Sequence, residues 1–237
     1  MSYKSTHKPL VAIVGRSGSG KSSSLEHLPP SETIIIDTER KGFPFPLKSW
    51  AGRIVGCDTK LEIESAIASA LKDPSVKYIV VESLTKVFEI YEATAQASFK
   101  GYDIWTYYNK SIAGFFELCK NRQATVVFTA IDEVLKSELP EGGVDIARRI
   151  KVKGKAWEGI VEKEMLVVFY SWVKRDAKIP DKVDYLFRTN SDGINPAKSP
   201  KFFGYPLDIP NNLMAAFELA NKNAKSAEET GFGEEGK

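Results

Sequence analysis

Leu10-Val11-Ala12-Ile13-Val14-Gly15-Arg16-Ser17-Gly18-Ser19-Gly20-Lys21-Ser22 is the stretch whose reading decides the fold. The first five residues form an unbroken apolar run, as expected of a strand buried on both faces. The next eight match the phosphate-loop pattern G-x-x-x-x-G-K-[ST]. At average composition, a chain of this length carries that pattern by chance on the order of once in a hundred, and a strand directly before it makes chance a weaker account still. Glycines at 15, 18 and 20 let the backbone curl until successive N–H groups point at phosphate oxygens. Lys21 to Leu28 reads as a following helix, whose N-terminus adds partial positive charge. A plain Gly/Ser turn explains the glycines but not a lysine and a hydroxyl at this offset. Gly15, Arg16, Ser17, Gly18, Ser19, Gly20, Lys21, Ser22 and Ser23 are therefore the expected nucleotide-binding residues. Lys21 would reach the β- and γ-phosphates and the Ser22 hydroxyl would ligate Mg²⁺.

The 237 residues suffice for one sizeable α/β domain. A net charge of +2 is too small to argue for nucleic acid by itself, so any such case rests on where the charge sits. Cys57 and Cys119 have neither metal-ligand spacing nor a framework of partners, and read as buried thiols in a reducing compartment. Met1 to Pro9 lacks the apolar core of a signal peptide, and the run Met165 to Trp172 is too short to cross a bilayer. The expectation is a cytoplasmic protein with no membrane partner. Residues 1–9 are expected to be flexible, 10–220 to form the domain, and 221–237, Lys/Glu/Gly-rich with Phe232 its single aromatic, to be a disordered tail.

After the loop helix, Pro29-Pro30 stops the pattern. Thr33 to Ile36 is a second buried strand, ending in Asp37-Thr38-Glu39. Residues 40–50 are Gly/Pro-punctuated loop, and Ile54-Val55 is a short third strand. Lys60 to Lys72 has helical spacing up to Asp73-Pro74. Tyr78 to Val81 is a strand closing in Glu82-Ser83. A helical region from about Thr85 to Arg122 breaks near Gly101, and Ala124 to Ala130 is another buried strand. Residues 135–156 are polar, Lys155 to Lys163 reads as a short helix, and Leu166 to Lys174 and Lys182 to Thr189 read as two strands joined by a turn at Ala177 to Asp181. Leu213 to Asn221 is a last helix. Strands alternating with helices predict an α/β fold with a mainly parallel, doubly wound sheet and an antiparallel C-terminal hairpin extension, its ligands at the carboxyl ends of the strands.

Two strand ends carry acids suited to a hydrolytic phosphate-loop enzyme. Glu82 is placed to hold Mg²⁺; the usual residue is Asp, so the extra methylene shifts the metal. Such an enzyme also needs a carboxylate for the attacking water. Asp37 and Glu39 lie on the same side of their strand by period-2 alternation, and Glu39 is preferred, beside the γ-phosphate if its strand neighbours the first. With Lys21, it is the expected catalytic pair.

A phosphate loop, a strand closing in Asp-x-Glu and a strand closing in acid-Ser together resemble the RecA-type recombinase core. That resemblance implies Glu39 as the catalytic carboxylate and Glu82 as the Mg²⁺-side acid. It also implies a γ-phosphate sensor on Val126-Val-Phe-Thr129-Ala-Ile-Asp132, where Thr129 or Asp132 stands in place of the family's frequent Gln. The chain is closer still to small phage-encoded ATPases that look like a RecA core without accessory domains, implicated in single-strand annealing and recombination. These share Gly154-Lys155, a hairpin, and Ala197-Lys198-Ser199-Pro200, so that the similarity spans roughly residues 10–203. It implies ATP and Mg²⁺ as cofactors, self-assembly into a ring or filament, and single-stranded DNA as partner, with a single-strand-binding protein as a further one. In that setting the compartment is the host cytoplasm. It also implies a basic residue reaching a neighbour's γ-phosphate, Lys198 first and Arg188 second.

Arg148-Arg149-Ile-Lys151-Val-Lys153-Gly-Lys155 puts five cations in eight residues. If extended, Arg149, Lys151, Lys153 and Lys155 share one side, a stripe suited to phosphates. Phe99, Tyr102, Trp105, Tyr107 and Tyr108 interleave with Lys100 and Lys110. Most read as core, for example Trp105 with Tyr108 and Ile112, while Phe99 and Tyr102 flanking Gly101 are the exposed pair that would stack bases. ATP is preferred over GTP because no Asn-Lys-x-Asp element occurs; Asn109-Lys110 lacks its aspartate. Two other readings stand beside the DNA-acting ATPase: a small-molecule phosphotransferase, and a nucleotide-dependent switch or loader that binds a partner protein.

Overall fold

The computed structural model describes residues 7–138, 140–175 and 182–224; the expected turn at Ala177 to Asp181, most of the N-terminal segment and the tail from residue 225 lie outside them. In chain order the regular elements are β1 (Leu10–Val14), β2 (Thr33–Asp37), β3 (Ile54–Gly56), α1 (Lys60–Ala70), β4 (Tyr78–Glu82), α2 (Leu84–Ser98) and α3 (Tyr102–Cys119). They continue with β5 (Thr125–Ala130), β6 (Asp132–Glu138), β7 (Val144–Ile150), β8 (Val167–Arg175), β9 (Val183–Arg188), β10 (Asp208–Pro210) and α4 (Leu213–Asn223).

The apolar run of β1 feeds two cores by simple alternation. Leu10, Ala12 and Val14 join the core that α1, α2 and α3 cover, whereas Val11 and Ile13 join the core beneath α4 and the 43–50 loop. The main sheet has the order β10-β9-β8-β1-β5-β4-β2-β3. From β3 to β8 every neighbouring pair is parallel, and β9 and β10 extend it antiparallel. The architecture is thus mixed α/β, with a mostly parallel central sheet plus an antiparallel hairpin. Both cysteines are buried free thiols, and burial pushes Cys57 up to about 11. Among the described residues, no helix is long and apolar enough to cross a membrane.

The helices start where their caps dictate. Thr59 and Glu62 form a reciprocal capping box at α1, and the Ser83 hydroxyl accepts from Lys86 N at α2. Gly101, at φ 59°, separates α2 from α3.

Two helix expectations are corrected, and two features are added that the sequence leaves open. Lys21 to Leu28 is not a helix: only a 3-10 turn, Ser23–Leu25, follows the loop. Three consecutive serines are weak helix formers, the Ser24 hydroxyl donates to Lys21 O at 2.6 Å, and Pro29-Pro30 closes the segment. A helix macrodipole therefore adds little here. Lys155 to Lys163 is also turns, ending in a 3-10 segment, Val161–Glu164. The polar stretch from 135 contains a protruding hairpin, β6–β7, paired from Asp132↔Ile150 to Glu138↔Val144. Finally, β2 is not beside β1, because β5 and β4 lie between them.

Gly15 marks the tightest backbone approach, since a Cβ there would lie 2.4 Å from Ser171 O on β8. Gly15→Ala is expected to lower stability by about 1–3 kcal/mol through forced backbone displacement. Gly114→Ala on α3, where nothing lies within 4 Å, is expected to raise it by about 0.5–1 kcal/mol. Urea unfolding midpoints at unchanged m-value would check both.

Candidate nucleotide-binding site

The loop leaves β1 at the carboxyl end of the sheet, and its first bond is Gly15 N–H to Ala130 O of β5 at 3.2 Å. Gly18 and Gly20 take positive φ, 76° and 95°, which only glycine adopts without strain. The N–H groups of Gly18, Gly20, Lys21 and Ser22 have no acceptor among the described residues, as an anion cradle requires. Lys21 folds back over the loop, its Nζ donating to Gly15 O at 2.9 Å and Arg16 O at 2.8 Å. Burial lowers its pKa, against the raising influence of nearby Glu82. From outside, Ser171 of β8 braces the loop by donating to Ser19 O at 2.7 Å, and Asn211 donates to Ser171 Oγ at 2.8 Å.

Ser22 meets Glu82 directly. Its hydroxyl donates to Glu82 Oε1 at 2.7 Å. Glu82 is 3% exposed, and its Oε2 is buried with no hydrogen-bond partner. Desolvation raises its pKa, opposed by the Thr129 and Ser22 hydroxyls and by Lys41 and Lys21. A hydroxyl beside a carboxylate with one unsatisfied oxygen suits a hard divalent cation. Among the described residues no three acidic, His or Cys groups gather as a metal site, so such an ion would need phosphate oxygens to complete its shell. The donor set fits Mg²⁺ held together with a nucleotide.

Asp37 and Glu39 separate in role. Asp37 is buried, and its Oδ1 accepts from the N–H of Glu39 (3.1 Å) and of Arg40 (2.8 Å), which turns the chain back over the sheet end. Glu39 accepts from Ser83 Oγ at 2.6 Å, with Lys41 Nζ 3.7 Å from its Oε2 and 3.9 Å from Glu82 Oε1. A cavity of about 550 Å³ gathers Gly18, Gly20, Lys21, Ser22, Glu39 and Glu82, and continues to Phe43 and Pro44. The loop, Glu82 and Glu39 are thus brought together. Lys41, Phe43 and the Ser83 contact with Glu39 were invisible in sequence, because residues 40–50 read only as a punctuated connection.

A second cavity of about 670 Å³ lies on the other side of the loop, sharing Ser17, Gly18 and Tyr185 with the first. Its cations are Arg16, Arg148, Arg175 and Arg188. Arg188 is fully engaged: Nε and Nη2 donate to Asp208 at 3.1 Å each, Nη1 donates to Asp192 at 2.7 Å, and the guanidinium covers Trp172 at 5.2 Å. Lys198 lines neither cavity. Its backbone pairs with Val168 in both directions at 2.9 Å, and burial lowers its pKa.

The two sensor candidates occupy different places. Thr129 is fully buried on β5, its hydroxyl facing Glu82 without a hydrogen bond of good geometry. Asp132 accepts from Arg148 and, at 3.2 Å, from Tyr170 OH, leaving Oδ1 buried and unpartnered.

The basic run is not one stripe. β7 ends at Ile150, so alternation stops before Lys151, Lys153 and Lys155. Acids distant in sequence oppose it: Asp132 pairs with Arg148, and Glu92 lies 3.8 Å from Lys153. Arg149 donates to Arg148 O at 3.1 Å. Phe99 and Tyr102 are exposed, with Phe99 against Tyr107 at 4.6 Å. Tyr108 and Ile112 are core, but Trp105, expected with them, is 38% exposed.

No protein-family model matches this chain, and no curated protein matches it.

A carboxyl whose folded-state pKa is raised costs stability above its unfolded value, and the cost grows as pH rises towards the folded value. Ligand-free Glu82→Gln is therefore expected to melt higher than wild type, with a margin absent below about pH 4 and widening as pH rises. Thermal melts across pH would check this.

Proposed function

We propose that this chain is a Mg²⁺-dependent phosphate-loop ATPase with a RecA-like core. It acts on single-stranded DNA in recombination or annealing and assembles with copies of itself. The observation that carries the reading is the 2.7 Å contact of Ser22 with Glu82, inside one cavity with Lys21 and Glu39.

The chemistry follows from these groups. The free loop N–H groups bind the β-phosphate region, and Lys21 exchanges two carbonyl partners for phosphate oxygens, a stronger charge-assisted bond. Ser22 and Glu82 would hold the divalent ion, which when bound neutralises charge on the β- and γ-phosphate oxygens. Glu39, oriented by the Ser83 hydroxyl, accepts the proton of the attacking water, a role worth about 10²–10⁴ in rate. Phe43 and Pro44 also line the cavity, an apolar surface for a base to lie on.

The cavity beside the loop supports the DNA part. Arg16 and Arg175 make no ion pair among the described residues, and Trp172 and Tyr185 add stacking surface. The shared wall of Ser17, Gly18 and Tyr185 would make each cavity sense the other's occupant. Arg16 and Arg175 also favour a second reading, transfer of phosphate to a phosphorylated small acceptor held beside the loop.

ATP hydrolysis with and without single-stranded DNA tests the proposal. Stimulation by DNA is expected, with Glu39→Gln losing about 10²–10⁴ in turnover while still binding ATP, and Lys21→Ala losing nucleotide binding. A DNA-indifferent rate, or phosphate recovered on a nucleoside or sugar phosphate, would overturn the recombinase reading.

A further inference from the structure

Along one flank of its buried face, α3 carries Tyr102, Trp105 and Asn109 at i, i+3 and i+7, one stripe along the helix. The segment after β7 runs against this stripe. Tyr108 OH donates to Lys153 O at 2.7 Å and pins it there. Gly154, at φ 79°, lets its backbone lie on the indole, since a Cβ would stand 3.0 Å from Trp105 Cζ3. Between them Tyr102, Trp105, Asn109, Gly154, Lys155 and Ala156 line a cavity of about 420 Å³.

Three features of this cavity describe one kind of occupant. Its lining is aromatic and largely apolar, with Tyr102 82% and Trp105 38% exposed, and Trp105 is held edge-on to Tyr108 at 5.9 Å and 89°. Asn109, which lines it, has a buried Oδ1 with no hydrogen-bond partner among the described residues, an expense that a ligand N–H reaching it would remove. At its edge stands Lys155, which makes no ion pair among the described residues, whereas Lys153 two positions earlier faces Glu92. A flat ring, an N–H on its edge and an anion attached to it are the parts of a nucleotide.

We propose that this cavity receives one base of a single-stranded nucleic acid, stacked on Trp105, hydrogen-bonded to Asn109 and with its phosphate at Lys155. The proposal rests on the DNA-acting reading above and adds a base-dependent contact remote from the phosphate loop. Binding should depend on the bases, not only on the backbone.

The test compares labelled oligo(dT) with an abasic oligomer of equal length by fluorescence anisotropy. Wild type is expected to bind oligo(dT) more tightly. Trp105→Ala should weaken oligo(dT) by about 5- to 150-fold, the range for loss of one stacked base, and leave the abasic oligomer unchanged. Trp105→Phe should recover most of the loss. Lys155→Gln should weaken both oligomers alike and flatten their salt dependence. If Trp105→Ala does not melt like wild type, the exposed Tyr102→Ala carries the same comparison. Equal binding of both oligomers by wild type, or variants that leave oligo(dT) affinity untouched, would overturn this pocket and leave the DNA reading standing. Binding of neither oligomer by wild type would overturn both.

Discussion

Glu82 carries its carboxylate into the interior at the end of β4, where one oxygen accepts from Ser22 and the other accepts from nothing. Burying a carboxylate so incompletely satisfied is costly, and its surroundings are arranged to hold it in place. Thr38 ties the backbone on either side, its hydroxyl donating to Glu82 O and accepting from Ser83 N at 3.0 Å each. Lys21 and Lys41 favour its charged form from the solvent side. A bound cation that satisfies the orphan oxygen would return the cost as affinity, and would stabilise the folded chain by mass action. A buried carboxylate oxygen without a partner among the described residues thus stands to gain from a cation that reaches it.

Strand order makes that meeting possible. Neighbouring strands lie about 4.8 Å apart, so β4, two places from β1, is displaced by about 10 Å. The loop after β1 has to cross the end of β5 to bring Ser22 over Glu82. It does so with Gly15 bonded to Ala130 on the way and Gly18 and Gly20 at positive φ. β2 is one place further still, and a side chain projecting straight from its end would miss the loop. Glu39 arrives because Asp37 turns the backbone and Ser83, at the start of α2, captures the carboxylate. An acid next to the phosphate loop in space therefore comes from a strand that is not its neighbour.

This explains which parts were legible in the sequence. β1, β2, β4 and β5 are buried on both faces and read as continuous apolar runs, and the loop motif locates Lys21 and Ser22. Glu82 and Glu39 are legible as acids at strand ends, and the fold brings both to the cavity beside the loop. The β6–β7 hairpin was missed because it leaves the core: Val134, Ile146 and Val144 are exposed, and no buried face imposes a readable pattern. β10 is three residues long and ends in Pro210. The loop helix was over-read because its motif ordinarily opens a helix, whereas three serines and a proline pair decided otherwise. Lys41, Ser171, Tyr185 and Asn211 reach the loop only through tertiary packing, which no local pattern encodes.

The opposing charges follow the same logic. A run such as Arg148 to Lys155 looks unopposed until the fold brings Asp132 and Glu92 to it, and Arg188 looks free until Asp192 and Asp208 close around it. Of the four arginines beside the loop, two are thus already neutralised. Among the described residues, an anion entering that cavity meets the unpaired charge of Arg16 and Arg175, and would have to displace a carboxylate to recruit either of the others. Arg148 is the more consequential of the engaged pair. It links β7 to Asp132, separated by one residue from the strand that anchors the loop, and its own N–H is bonded to Ile194 O at 2.6 Å. Pulling Arg148 towards a ligand would uncover Asp132, whose Oδ1 already lacks a partner. Arg148 and Asp132 thus fasten the protruding hairpin, with one residue between it and the strand whose Ala130 O holds Gly15 at the start of the loop.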